Sequence, residues 1–420
     1  MTSEYEITLT TLAYGGDAMG RLPDPLSGAS GRAVFVPYAL PGERVRLRLV
    51  EEKRGYARAE LLEVLDPSPE RIPPRCPHFG VCGGCHYQQM PYATQLRVKE
   101  AILRDQLERI GQIQNPPVRL IVPSPSEWNY RNHVQFHLTK SGKLGYVGTG
   151  ARPIPTIIPI TECHLPEPAI NALWPQLEFE PDSGIQRVFM HLGADEDVML
   201  VLESKEPNPP ELEIEADVSV VHLYEEDTIV LAGDDHIIIK ILDRPFRVSA
   251  GSFFQVNTAM AGKMIEHLLA NLPFSPNTTL LDVYCGVGLF SAFLAPHVTR
   301  LIGIESSPSA CADFVVNLDE FDNVELYEGA AEEILPALAG RIGNPTYALV
   351  DPPRAGLHVR ALDALLALRP DMIAYVSCDP STLGRDAARL IAGGYLLKQV
   401  TPFDLFPQTY HIESISIFEK

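Results

Sequence analysis

Cys378 and Glu413 are the two residues whose types and surroundings could do covalent chemistry. Cys378 lies in Tyr375-Val-Ser-Cys-Asp-Pro380, where a short apolar run from Met372 to Val376 ends in Ser-Cys-Asp-Pro. Such a run reads as a buried strand that delivers a thiol to a strand-end loop, the place where open α/β sheets bind ligands. Glu413 closes His411-Ile-Glu413 and sits in another short strand. A thiol and a carboxylate suit a reaction with one covalent step and one proton abstraction. Taken alone, the pair also reads as a core cysteine and a surface glutamate, since an unpaired Cys is usually buried and inert. The segments upstream favour chemistry.

Thr279-Leu-Leu-Asp-Val-Tyr-Cys-Gly-Val-Gly-Leu-Phe290 reads as a strand over Leu280 to Tyr284, a tight turn over Gly286-Val-Gly288, and a helix opening at Leu289. Glycines there let the backbone approach a ligand at the helix start. Leu301-Ile-Gly-Ile-Glu305 is a second strand ending in an acid, placed to bind a ribose diol. Dinucleotide and S-adenosylmethionine sites share this logic. A dinucleotide fingerprint would carry a third glycine where Ser291 stands. Tyr347-Ala-Leu-Val-Asp-Pro-Pro-Arg354 is an apolar strand whose two prolines fix φ and remove donors, holding Asp351 at the strand's carboxyl end. Methyltransferases of exocyclic amino groups carry an aromatic after the two prolines. Arg354 stands there instead, which leaves a ring carbon as the target.

A second constellation is Cys76-x5-Cys82-Gly-Gly-Cys85, with a distant Cys163 in Thr161-Glu-Cys-His164. Prolines and glycines around the first three cysteines favour a loop wrapped around a metal. Four thiolates suit zinc or an iron–sulfur cluster, and spacing alone leaves both open. The odd total of seven cysteines disfavours a disulfide framework. His78, His86 and His164 read as neighbours rather than ligands, and Cys285 and Cys311 as bystanders.

The elements that must position these residues fall into three parts. Residues 1–64 alternate apolar and polar in short runs, with strands at Glu6 to Leu12, Ala33 to Val36, Arg44 to Val50 and Tyr56 to Leu65. Several short strands in such a length read as a small OB-like barrel, a fold that commonly binds nucleic acid. Residues 65–249 form a central strand-rich domain with the metal loop and a helix over Tyr92 to Ile110, stopped at Gly111, for which packing on the last part is the alternative placement. Residues 250–420 alternate helix and strand as in a parallel sheet. The fold class is therefore α/β with all-β appendages.

The net charge of −20 opposes an RNA partner until it is mapped. Residues 176–235 hold 17 acids against Arg187 and Lys205, a net of −15, so the other residues carry −5. That acidic stretch reads as a solvated face turned away from RNA. Arg44, Arg46 and Arg48 alternate on one strand and place three guanidiniums on one face, a candidate basic surface. No apolar stretch follows a basic start and no run approaches a membrane span, so the expectation is a cytoplasmic protein without membrane partner, a monomer with no obligate protein partner.

These motifs, in this order, resemble the RNA uracil-C5 methyltransferases, which form 5-methyluridine in ribosomal and transfer RNA. The resemblance rests on the glycine turn, Asp-Pro-Pro-Arg-Ala-Gly, Ser-Cys-Asp-Pro-Ser-Thr-Leu-x-Arg-Asp and Thr-x-His-x-Glu. Gly-Gly-Asp-Ala-Met-Gly-Arg and Pro-Gly-Glu-Arg-Val resemble the TRAM domain of that family. The resemblance implies a Rossmann-like class I methyltransferase domain, Cys378 as nucleophile and Glu413 as base. It implies that Gln255, Tyr284, Glu305 and Asp351 bind S-adenosylmethionine or place the target, and that Cys76, Cys82, Cys85 and Cys163 hold a [4Fe–4S] cluster. Leu289 and Gln408 depart from residues common in the family, Asn and His respectively. The implied partner is RNA, with 23S ribosomal RNA ahead of tRNA. Cytosine-C5 methylation is disfavoured, because the Asp351 motif lacks the second Cys such enzymes use. A non-catalytic RNA-binding protein is disfavoured by the retained Cys378 and Glu413. A nicotinamide dehydrogenase rests on the glycine turn alone.

Overall fold

The computed structural model describes residues 4–23, 30–149, 156–210, 213, 217–225, 227–275 and 277–420. The chain forms two compact units. The first holds Met1–Ile102, Gly145–Ile160 and Phe406–His411, and the second holds Leu103–Leu144, Thr161–Leu405 and Ile412–Lys420.

In the first unit β1 (Glu4–Leu12), β2 (Ala18–Pro23), β3 (Ser30–Val36), β4 (Arg44–Glu52) and β5 (Tyr56–Asp66) close a barrel in the order β1-β2-β3-β5-β4. Strand alternation decides what fills it. Val45, Leu47 and Leu49 join Leu9, Val34, Val36 and Ala57 inside. The strand β2 lies outside the runs read from sequence because Gly20 interrupts it. A Cβ at Gly20 would lie 2.8 Å from Ile7 Cδ1, so the glycine permits close strand contact. The arginine row of β4 does face outward, but it is not an unopposed basic stripe. Arg44 pairs with Glu6 (3.1 Å) and Asp66 (2.7 Å), Arg46 with Glu6 (3.3 Å) and Glu63 (2.9 Å), and Arg48 with Glu60 (2.7 Å). The acids come from β1 and β5, whose register sets Glu6 and Glu63 opposite Arg46 and Glu60 opposite Arg48. Solvent screens such exposed pairs, so the lattice mainly cancels charge.

Between β3 and β4, Glu43 is fully buried and accepts from Leu40 N (2.8 Å), Ser68 N (3.1 Å) and Arg71 Nε (2.5 Å). This satisfied ion pair fixes where the cysteine loop leaves the barrel. The loop is held by the hairpin of β7 (Leu144–Val147) and β8 (Ile157–Pro159), with Gly83 N donating to Val147 O (2.9 Å) and Thr149 N to Val81 O (2.9 Å). Helix α1 (Tyr92–Arg109) starts here and continues into the second unit. Gln408 shows what its departure from His does. Its φ is +70, and its Oε1 accepts from Gln95 Nε2 (2.9 Å) while its N–H donates to Gln95 Oε1 (2.9 Å). Gln408 O also accepts from His86 N (2.9 Å) and Tyr87 N (3.1 Å), so a left-handed residue is locked from every side.

The second unit contains two sheets and a hairpin. In the first sheet β6 (His133–Leu138), β9 (Ile185–Leu192), β10 (Val198–Ser204), β11 (Ser219–Tyr224) and β12 (Asp227–Ala232) run in the order β12-β11-β10-β9-β6. Its apolar face, with Phe136, Val188 and Met190 fully buried, packs on α2 (Pro168–Leu173) and Trp174. The hairpin is β13 (His236–Ile241) and β14 (Arg244–Ser249). The second sheet is doubly wound. It alternates α3 (Thr258–Asn271), β15 (Thr279–Val283), α4 (Leu289–Leu294), β16 (Arg300–Glu305), α5 (Pro308–Asn317), β17 (Val324–Glu328), α6 (Ala331–Leu338), β18 (Tyr347–Val350), α7 (Val359–Leu368), β19 (Met372–Ser377) and α8 (Pro380–Ala392). It ends in β20 (Leu396–Phe403) and β21 (Glu413–Glu419). The strand order is β17-β16-β15-β18-β19-β21-β20, with β21 antiparallel to both neighbours. Every residue of β19 is buried, as expected of an interior strand covered on both faces. The order reverses between β15 and β18, so the ligand crevice opens at the carboxyl ends of these strands. Among the described residues no helix is long and apolar enough to cross a membrane.

Candidate active site

The crevice begins at the turn after β15. Tyr284 has φ +66, Gly286 +54 and Gly288 +89. Tyr284 N and Cys285 N both donate to Ile304 O, at 2.9 and 3.1 Å, which pulls the turn across the end of β16. A Cβ at Gly288 would lie 2.3 Å from Leu318 Cδ1, so only glycine fits this approach. Glu305 ends β16 at the mouth of the turn. Its Oε2 accepts from Gly286 N (2.9 Å) and its Oε1 from Ser306 N (2.7 Å) and Ser307 N (2.8 Å). The cradle and acid fit an adenosine ribose beside the turn. Leu289 is buried and offers no side-chain hydrogen bond there.

Gln255 is buried, and its backbone oxygen accepts from Asn132 Nδ2 (3.1 Å). Two residues on, Asn257 caps α3, accepting from Met260 N (3.2 Å) and donating to Leu405 O (3.3 Å). The Phe253-Phe-Gln-Val-Asn257 segment is therefore pinned at both ends. Sequence reasoning missed Asp282 and Ser291. Ser291 Oγ donates to Asp282 Oδ2 at 2.5 Å, and Asp282 is buried. Burial pushes Asp282 up to about 7, the Ser291 hydrogen bond opposes this, and the charge of Glu305 adds to it. The available signal was the serine itself, standing where a dinucleotide site needs glycine.

The reacting end lies two strands over. Asp351 follows β18, and its N–H donates to Val283 O (3.1 Å), which sets it beside the end of β15. β19 and β21 pair with Ser377 opposite Ser414, so the next step outward along the ladder sets Cys378 opposite Glu413. Glu413 also pairs with Phe403 of β20. Only 5% of Glu413 is exposed, and its Oε2 has no hydrogen-bond partner. A buried acid without a partner is costly unless it is neutral or meets a substrate. Cys378 is half-buried, and behind it Asp379 caps α8 by accepting from Ser381 N (2.8 Å) and Thr382 N (3.0 Å).

Burial pushes the Cys378 thiol up to about 12, the charges of Glu413, Asp351 and Asp379 act the same way, and Arg354 opposes them. Burial holds Glu413 well above the usual carboxylate range, Asp351 adds to this, and Arg354 again opposes. Burial, then Asp282 and Glu305, push Asp351 up to about 7. Both shifts favour the protonated forms of the thiol and of Glu413. Once ionised, a thiolate and a carboxylate in such surroundings are a strong nucleophile and a strong base.

None of the seven cysteines forms a disulfide. Cys76, Cys82 and Cys85 are half-buried in the first unit, and Cys82 Sγ accepts from Gly84 N (3.4 Å). Cys163 is half-buried in the second unit. Among the described residues no three His, Cys, Asp or Glu side chains are gathered so as to hold a metal ion. Cys285 and Cys311 are buried, and burial raises both thiols, which makes them inert.

Comparison with known proteins agrees with this architecture. Residues 213–420 match the tRNA (Uracil-5-)-methyltransferase family model, and residues 2–62 match the TRAM domain. An uncharacterized RNA methyltransferase of Aquifex aeolicus is 35% identical over 438 residues, covering 99% of this chain and 98% of its own. One from Halalkalibacterium halodurans is 32% identical over 448 residues, covering 99% of this chain and 96% of its own. The tRNA (uracil-54, C5)-methyltransferase of Pyrococcus abyssi, solved with S-adenosyl-L-homocysteine, shares the fold with a TM-score of 0.73 at 23% identity, covering 99% of this chain and 100% of its own. The chain belongs to the RNA uracil-C5 methyltransferase family and is an S-adenosylmethionine-dependent RNA methyltransferase.

Proposed function

We propose that this enzyme methylates C5 of a uridine in 23S ribosomal RNA, with Cys378 as nucleophile and Glu413 as base. The register that sets Cys378 opposite a buried, unpartnered Glu413 carries this reading. C5 of uracil is too weak a nucleophile to attack a methyl sulfonium. Addition of the Cys378 thiolate to C6 moves the C5–C6 π electrons toward C4–O4 and gives C5 carbanion character. Bound S-adenosylmethionine supplies the methyl group. Glu413 then removes the C5 proton, the C5–C6 double bond re-forms, and the Cys378 thiolate leaves. Glu305 and Tyr284 hold the adenosine side, and Gln255 and Asp351 hold the methyl-donor end or the uracil edge. A stacked uridine cannot present C6 to a thiol in a crevice, so the base is flipped out, most easily from a loop or bulge.

RNA with tritium at C5 of its uridines tests the reaction. Each methyl group transferred should release one tritium to water. Methyl incorporation without tritium release would place the methyl on another atom. The pairing of a TRAM barrel with the cysteine pattern favours the ribosomal target, and relatives with both features also act on tRNA. The family model's own description favours tRNA as the second reading. Maps of 5-methyluridine in both RNAs, with and without the gene, separate the two.

A [4Fe–4S] cluster on Cys76, Cys82, Cys85 and Cys163 is part of this proposal, and it rests on the Cys-x5-Cys-x2-Cys…Cys spacing in the sequence. Its role would be structural or in placing RNA, since no redox step occurs above. Anaerobically purified protein should be brown and hold about four irons per chain. Zinc instead of iron would refute the cluster.

A further inference from the structure

Residues 250–257, which join β14 to α3 and carry Gln255, have no strand or helix of their own to hold them. One carboxylate on α5 gathers the start of this segment. Asp313 is fully buried. Its Oδ2 accepts from Ser249 N (2.8 Å) and Ser252 Oγ (2.6 Å), and its Oδ1 from Ser249 Oγ (2.7 Å) and Arg247 Nε (3.1 Å). Four donors occupy the acceptor sites of the carboxylate, and a fully satisfied buried network of this kind is stiff. Ser252 N also donates to Ser249 O (2.9 Å), which closes the bend. At the far end Asn132 N donates to Val256 O (3.0 Å). Gln255 lies between these two anchors.

Asn317 lies one helical turn further along the same face of α5. Its Oδ1 accepts from Arg247 N (2.7 Å), and its Nδ2 donates to Arg247 O (3.0 Å) and to Val287 O (2.9 Å). Val287 is the middle residue of the glycine turn. Phe314 and Leu318 press on the same turn, since a Cβ at Gly288 would lie 2.9 Å from Phe314 Cδ2 and closer still to Leu318. Near the start of α5, Cys311 Sγ donates to Glu305 O (3.5 Å). One helix therefore touches the ribose acid, the glycine turn and the Gln255 segment.

We propose that Asp313 and Ser252 are positioning residues that set Gln255 against the methionine half of S-adenosylmethionine, while Asn317 sets the glycine turn against the adenosine half. Gln255 then serves the methyl-donor end and not the uracil edge, because its segment and the glycine turn are fastened to one face of α5. This rests on the cofactor cradle proposed above, and it does not depend on which RNA atom is methylated.

Calorimetry on full-length protein without RNA compares two ligands. One is S-adenosylmethionine. The other is 5′-methylthioadenosine, which keeps the adenosine and the sulfur but lacks the aminocarboxypropyl chain. Ser252→Ala should weaken S-adenosylmethionine about ten-fold and 5′-methylthioadenosine by less than about two-fold. Asn317→Ala should weaken both ligands, by roughly ten-fold each. Gln255→Ala should itself weaken S-adenosylmethionine, and adding Ser252→Ala to it should cost nothing more, because Ser252 acts through Gln255. Equal loss of both ligands in Ser252→Ala shows general damage to the cradle and overturns the positioning role. Unchanged S-adenosylmethionine affinity in Ser252→Ala overturns it and returns Gln255 to the uracil edge. A full further loss on top of Gln255→Ala overturns it as well. Asp313→Asn should repeat the Ser252→Ala pattern with a larger effect. If Asp313→Asn does not fold, Ser252→Ala, which removes one hydroxyl, carries the test. Methyl incorporation without tritium release would overturn the uracil reading and leave this result standing.

Discussion

Cys378→Ala should lose methyl transfer by at least ~10^3-fold, because no other group near the strand ends can add to C6 and activate C5. S-adenosylmethionine binding should survive. The thiol is not part of the glycine turn or of the Glu305 network that shape the cofactor cradle. The fold should survive as well, since Cys378 is only half-buried and alanine adds no bulk. Methylation assays paired with calorimetric binding of the cofactor check both halves. Turnover near that of the natural protein would sink covalent catalysis here.

Glu413→Gln should fail in a different way. The amide has nearly the shape of the neutral carboxyl that burial maintains at rest, so the pocket should keep its form. Addition and methyl transfer should proceed, but proton removal from C5 should not. The enzyme should therefore accumulate on RNA as a covalent adduct. The pH dependence should change with it. Turnover of the natural enzyme should rise with pH across the neutral range, because both Cys378 and Glu413 must lose protons that burial holds. In the variant, adduct formation should depend on one ionisation only. Folding stability should run the other way. Asp282 and Asp351 rise from 3.8 to about 7 in the folded chain, so the stability they lend below 3.8 is lost as pH climbs through about 7.

The parts of the site that lie at the ends of apolar runs were legible in the sequence. Strands read around Leu280, Leu301, Tyr347 and Met372 all occur, and each ends where its chemistry-bearing residue begins. What was hidden depends on pairing between distant segments. β21 lies between β19 and β20, and only that register sets Glu413 against Cys378. The Ser291–Asp282 bond and the bonds of Asp313 to Ser249 and Ser252 join residues whose contact no local pattern encodes. The arginine row of β4 was correctly placed on one face, yet the acids that cancel it arrive from β1 and β5. Gln408 looked like an unexplained departure until its amide was seen locked to Gln95.

The central claim is that Cys378 bonds to C6 of a uridine and that Glu413 resolves the product. Glu413→Gln protein is incubated with RNA and S-adenosylmethionine, digested with nuclease and protease, and sequenced by mass spectrometry. The prediction is a Cys378 peptide carrying a methylated uridine, absent when Cys378 is also replaced by Ala. Free 5-methyluridine formed at the natural rate, with no nucleotide on Cys378, would contradict it.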